Sequence, residues 1–144
     1  MCARAGFERP ETYIASGNAL FVTDGTEAEV VAALSAELLA HAGRPVGVMV
    51  RTAEEMAAVA ARNAFPEEAP KRTVAIFLPT PPPPDALAGA RNVTTERMAL
   101  GTREIFVAYG DGMGRSRLAI PAAAEGTARN MNTVAELARR ALRL

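Results

Sequence analysis

"TERMALGTREIFVAYGDGMGRSRL", residues 95–118, decides how the rest of the chain is read. Thr95–Leu100 and Glu104–Tyr109 are aliphatic and aromatic enough to be strands, and Gly101-Thr102 between them is turn chemistry, so the stretch predicts a β-hairpin. Three closely spaced glycines follow, then Ser116 between two arginines. Gly110, Gly112 and Gly114 let the backbone reach positive φ and aim successive N–H groups into one concavity. Ser116 is then expected to cap a helix. Two readings stand side by side: a cradle for an anion, or glycines that only turn the chain.

Outward from that hairpin, strands and helices interleave. Thr12–Ile14 and Ala19–Val22 flank Ser16-Gly17-Asn18 and predict a second hairpin. Thr26 with Glu29 forms a capping box that opens a helix through about Ala42, with Val30, Leu34 and Leu38 as its buried stripe. Val46–Val50 reads as a covered strand. A second box, Thr52 with Glu55, opens a helix over Met56, Val59 and Ala60 that ends near Asn63. Thr73–Leu78 is a strand, Pro79–Pro84 a stiff surface loop and Asp85–Ala90 a short helix. Thr133 with Glu136 reads as a third capping box, opening a last helix that buries Val134, Leu137, Ala141 and Leu142. The fold class is α+β.

Composition narrows the function classes. The 144 residues are 49% hydrophobic, enough for one core or two small subdomains sharing an interface. Sixteen basic and sixteen acidic residues cancel, so no net field draws the chain onto nucleic acid or an anionic membrane. The charge is uneven: residues 1–109 sum to −3 and residues 110–144 to +3, which favours an anion in the last third. Cys2 is the only cysteine and His41 the only histidine, leaving no multi-thiolate metal site and no Ser-His spacing of catalytic type. No apolar run reaches membrane-spanning length and Met1 is not followed by a secretory leader, so a cytoplasmic location is expected.

Four stretches carry a resemblance. "TYIASGNALF" (12–21), "VRTAEEMAAVAARNAFP" (50–66), "GDGMGRSRL" (110–118) and "TARNMNTVAEL" (127–137) resemble, in order and spacing, the bacterial family of unknown function DUF1697. The resemblance implies two ferredoxin-like α+β subdomains, residues 1–51 and 52–144, packed as one unit, and implies no activity. Members usually open with a hydrophobic strand running into Arg-Gly-Ile-Asn-Val-Gly and a helix, whereas "MCARAGF" resembles only the end of that helix. The first subdomain is therefore expected to be N-terminally truncated. Ala15 stands where glutamine is usual, Arg117 where lysine is usual and Met131 where an aromatic is usual. Without the first strand, Ala19–Val22 and Val46–Val50 lose their shared neighbour, and the open sheet edges predict a start placed too late, self-association or poor stability.

The chemistry-bearing residues converge on the last third. Gly112, Gly114, Arg115, Ser116 and Arg117 form the first set of anion-binding candidates, a helix N-terminus with flanking arginines being a ready anion site. The loop lacks the Gly-Lys-Ser/Thr of a P-loop and the final spacing of a dinucleotide fingerprint. Arg129 and Asn130, in "ARNMNT", are a second set of donors, though such residues also satisfy the orphan N–H groups of a helix start. Asp111 is the best single acid, and one carboxylate assigns no reaction. "REIFVAYG" (103–110) superficially resembles an RNA-recognition strand, yet Phe106 and Tyr109 differ by three and face opposite sides of a regular strand. The sequence thus predicts a protein binding a small anionic or phosphate-bearing ligand, with no cofactor, metal or membrane partner. An enzyme acting on such a ligand, or a structural or nucleic-acid-binding module, is the alternative.

Overall fold

The computed structural model describes residues 8–12, 19–23, 25–43, 48–110, 116–123 and 126–143. Two strands open it, β1 (Glu8–Thr12) and β2 (Ala19–Val22), paired antiparallel with Thr12 opposite Ala19 and Glu8 opposite Val22. Strand β2 falls where expected; β1 shares Thr12 with the expected Thr12–Ile14, whose residues 13 and 14 lie outside the described residues. Its register shifts between Glu8 and Glu11, around Pro10, whose missing N–H removes a ladder bond. Ser16-Gly17-Asn18 lies outside the described residues.

Helices α1 (Glu27–Ala42) and α2 (Ala53–Ala61) begin as the capping boxes require. The Thr26 hydroxyl accepts from the Glu29 N–H at 3.2 Å, and the Thr52 hydroxyl from the Glu55 N–H at 3.1 Å. Gly43 ends α1 at φ 72°, a left-handed value that favours glycine. Val30 and Leu34 are buried and pack on Val48 and Val50. Of the expected strand Val46–Val50, residues 48–50 are in no ladder and residues 46–47 lie outside the described residues; the four-stranded sheet begins only after α2.

That sheet is antiparallel, in the order β4-β5-β3-β6, built from β3 (Thr73–Phe77), β4 (Arg97–Leu100), β5 (Glu104–Ala108) and β6 (Thr127–Asn130). Both faces are covered, which is why β3 and β5 are buried at every position rather than alternately. Ala75, Phe77, Phe106 and Ala108 face α2 and α3 (Met131–Ala141). Val74, Ile76, Ile105 and Val107 face a cover of Leu87, Leu118, Ile120 and Ala123 from the connecting segments. Phe106 (2% exposed) and half-buried Tyr109 therefore sit on opposite faces, as strand alternation requires.

Three expectations in the C-terminal third are overturned. No helix starts near Ser116: residues 116–118 are irregular, followed by a short 3-10 turn at Pro121–Ala123. Strand β6 was not foreseen. The last helix starts at Met131, capped by Asn130 rather than Thr133, because the Asn130 side-chain oxygen accepts from the Thr133 N–H at 2.9 Å. Thr133 is instead a buried residue of the first turn. Val134 and Leu137 are buried as expected, whereas Leu142 is 58% exposed and Ala138 takes its place in the core.

Candidate functional site

Strand direction brings the described ends of β5 and β6 to one end of the sheet. β5 and β6 both run antiparallel to the β3 strand between them, so they run parallel to each other and finish at its beginning. Ala108 lies opposite Thr73, and Asn130 opposite Val74. The Tyr109 N–H extends the ladder to the Arg72 carbonyl at 2.9 Å, and Gly110, at φ 61°, then turns the chain into the glycine loop. Arg97, at the start of β4, is opposite Ala108 at the same end. The end of β5, the start of α3 and Lys71-Arg72 on the 3-10 turn Pro70–Arg72 are therefore neighbours.

The expected donors divide into three groups. Gly112, Gly114 and Arg115, with Asp111, lie outside the described residues. Ser116 and Asn130 are engaged within the protein. The Ser116 hydroxyl donates to the Glu96 carboxylate and accepts from the Leu118 N–H at 3.2 Å. Asn130 caps α3. Arg117 is exposed, its carbonyl accepting from the Asn92 side-chain amide at 3.2 Å. Arg129 is half-buried and donates to the Ala128 carbonyl at 2.8 Å.

Glu96 is the residue that sequence reasoning missed. It is 8% exposed and also accepts from the Thr94 N–H (2.8 Å) and hydroxyl (2.9 Å). The Ser116 hydroxyl, then the Thr94 N–H, hold its carboxyl down to about 2. Burial, and next the Glu96 charge, push the Tyr109 phenol up. Ser116 thus presents its proton to a fixed negative charge. No local signal links residues 96 and 116; the pairing of β4 with β5 and the bridge between Arg91 and Ala119 bring their segments together.

Basic charge at this end is partly balanced. Arg97 pairs with Glu67 at 2.7 Å and Glu68 at 3.3 Å, and its guanidinium lies 4.7 Å from the Phe65 ring centre. A separate network ties the sheet's other end to α1 and α2. Buried Arg51 donates to Glu104 at 3.1 Å and to the Leu78 and Arg103 carbonyls at 2.8 and 3.2 Å. Arg103 pairs with Glu27 at 2.9 Å and Glu55 at 3.1 Å. Such a satisfied buried arginine is a strut between segments. Among the described residues no group of three or more His, Cys, Asp and Glu could hold a metal ion, and no helix is long and apolar enough to cross a membrane.

The family model for "Protein of unknown function (DUF1697)" matches residues 1–106. The chain belongs to this family. The match takes in α1, α2, the Arg51 strut and most of the β4-β5 hairpin, while the glycine loop and "TARNMNT" lie beyond it. The DUF1697 chain is also similar in fold to the conserved bacterial protein SP0830 from Streptococcus pneumoniae, with a TM-score of 0.78 at 20% identity, over 98% of this chain and 84% of that one. That likeness supports the α+β architecture through the C-terminal third. No functionally curated protein matches the chain. Met131, where the resemblance expects an aromatic, is 5% exposed within the core under α2 and α3.

Proposed function

We propose that this member of DUF1697 is a cytosolic protein that binds a small anionic, phosphate- or carboxylate-bearing ligand at the end of the sheet where β5 and β6 emerge. One observation supports the reading: β5 and β6 flank the start of β3, so the end of β5, Arg129 on β6 and Lys71 on the turn before β3 lie at the same end of the sheet. The donor set is Arg117 and Arg129 with the loop residues Gly112, Gly114 and Arg115. Ser116 and Asn130 serve as its anchors, on Glu96 and α3. Catalysis would need a group titrating near neutrality, and Glu96, held down to about 2, is a poor general acid or base there.

The same reading divides the chain into residues 1–51 and 52–144. The antiparallel order β4-β5-β3-β6 supports a ferredoxin-like second unit in its strand order alone, since its α-helices precede the first strand and follow the last, where a β-α-β-β-α-β unit carries them between strands.

A thermal-shift screen of phosphate, sulfate, sugar phosphates, nucleotides and organic acids tests the function, since a ligand selective for the native state raises its stability by mass action. Phosphate or a phosphorylated compound is expected to raise the melting temperature of the wild type and to act less on an Arg117→Ala, Arg129→Ala variant. Equal shifts in both proteins, or none in either, overturn the proposal.

A further inference from the structure

The two edges of the four-stranded sheet differ in what they offer a further strand. The Gly101 N–H donates to the Glu104 carbonyl at 2.7 Å, and with Leu100 opposite Ile105 this bond sets the alternation along β4. Arg97 and Ala99 turn their backbone groups toward β5, whereas Met98 and Leu100 turn theirs away from it. Among the described residues no hydrogen bond reaches those outward N–H and C=O groups. Leu100 is also 37% exposed, on the same face of the strand as half-buried Met98. The β6 edge is guarded instead: the outward carbonyl of Ala128 is taken by the Arg129 guanidinium at 2.8 Å, and a charge on an edge opposes pairing.

The open edge is complementary to itself. Antiparallel pairing about a two-fold axis through Ala99 sets Met98 opposite the partner's Leu100, and the reverse, so each outward N–H meets an outward carbonyl. The exposed Leu100 side chain is then covered by the partner's Met98 on the same face. On the α2 face, Arg97 comes opposite the partner's Gly101, which has no side chain to displace the Arg97 pairs with Glu67 and Glu68. The charges match in the same register. Beside Arg97 those carboxylates leave a surplus negative charge. Beside the turn at the other end of β4, Arg62 is exposed, donates to the Thr102 hydroxyl at 2.9 Å and has no ion pair among the described residues. An antiparallel copy brings the partner's Arg62 toward Glu68, twice over by symmetry.

We propose that the outer edge of β4 pairs antiparallel with the same edge of a second copy of this chain, joining two four-stranded sheets into one. The pairing does not depend on the anion site. A strand of this length covers less surface than a permanent interface does, so the dimer forms reversibly with concentration. The test is sedimentation equilibrium of the whole chain over a concentration series, with amide hydrogen exchange read by nitrogen-15 NMR on the same samples. The mass is expected to climb from 15.1 kDa toward twice that value. Exchange at the Met98 and Leu100 amides should slow with it, while the Ala128 amide on the guarded edge keeps its rate. Leu100→Pro removes an N–H that points away from β5, so the chain should stay folded and the dimer should be lost. Arg62→Glu should weaken the dimer about tenfold, since the two-fold repeats each like-charge contact, and Arg62→Glu with Glu68→Arg should restore it. A monomer at every concentration, a dimer with unchanged Met98 and Leu100 exchange, a dimer that survives Leu100→Pro, a charge exchange that restores nothing, or an edge that takes an extended peptide but no second copy overturns the proposal.

Discussion

Removing the Asn130 side chain tests the corrected start of α3. Its carbonyl oxygen accepts from the Thr133 N–H at 2.9 Å, and Asn130 is half-buried, so water replaces the lost bond poorly. Asn130→Ala is expected to cost about 1 kcal/mol, the usual value for a lost cap. An unfolding entropy of about 2.1 cal/mol/K per residue over the whole chain means that each 1 kcal/mol lowers the melting temperature by about 3 °C. Asn130→Asp keeps the acceptor and adds a favourable charge at the helix N-terminus, so it should match or exceed the wild type. Thr133→Val keeps most of the packing and removes only the hydroxyl, so it should cost less than half as much as Asn130→Ala. Calorimetry or urea denaturation of the three variants decides the matter. A loss in Thr133→Val with none in Asn130→Ala would refute the assignment and restore Thr133 as the cap. Asn130→Asp also serves the functional proposal, because it preserves the helix while placing a negative charge beside the proposed anion site.

Two further predictions follow from contacts elsewhere. A methyl group at Gly126, just before β6, would sit 2.6 Å from Ile76 Cγ2 and 3.1 Å from the Phe77 carbonyl oxygen, so Gly126→Ala should destabilise by about 1–3 kcal/mol in urea titrations. A neutral result would mean that β6 can move away from β3 at little cost. The Glu96 carboxyl is held down to about 2 from an ordinary 4.5, so the folded state favours its ionised form. That stabilisation is complete above pH 4.5 and is lost as the pH falls toward 2. The melting temperature of the wild type should therefore fall more steeply across that window than that of Glu96→Gln, and parallel curves would show that Ser116 and Thr94 do not hold the charge.

The sequence by itself determined the elements whose causes are local. Thr26 and Glu29, like Thr52 and Glu55, are three residues apart, so each capping box closes within one turn and α1 and α2 begin where the pattern says. The β4-β5 hairpin is likewise set by a short turn between strongly β-forming segments. The start of α3 has two local solutions, Asn130 and Thr133, and tertiary pairing chooses between them. β6 lies on β3 with Asn130 opposite Val74, which keeps residues 127–130 extended and lets the helix begin only at Met131. "TARN" carries little strand signal of its own; it is a strand because β3 offers it an edge. The candidate site divides in the same way. Its glycines and arginines are visible in the sequence, but the hydrogen bond of Ser116 to Glu96, twenty residues away in the chain, forms only once β4-β5 pairing and the Arg91–Ala119 bridge join their segments. Arg51 and Glu104, separated by 53 positions, meet where the segment before α2 packs on the start of β5. Contacts between residues far apart in sequence have no periodicity or spacing to announce them, because the folded sheet, rather than the local chain, sets their distance.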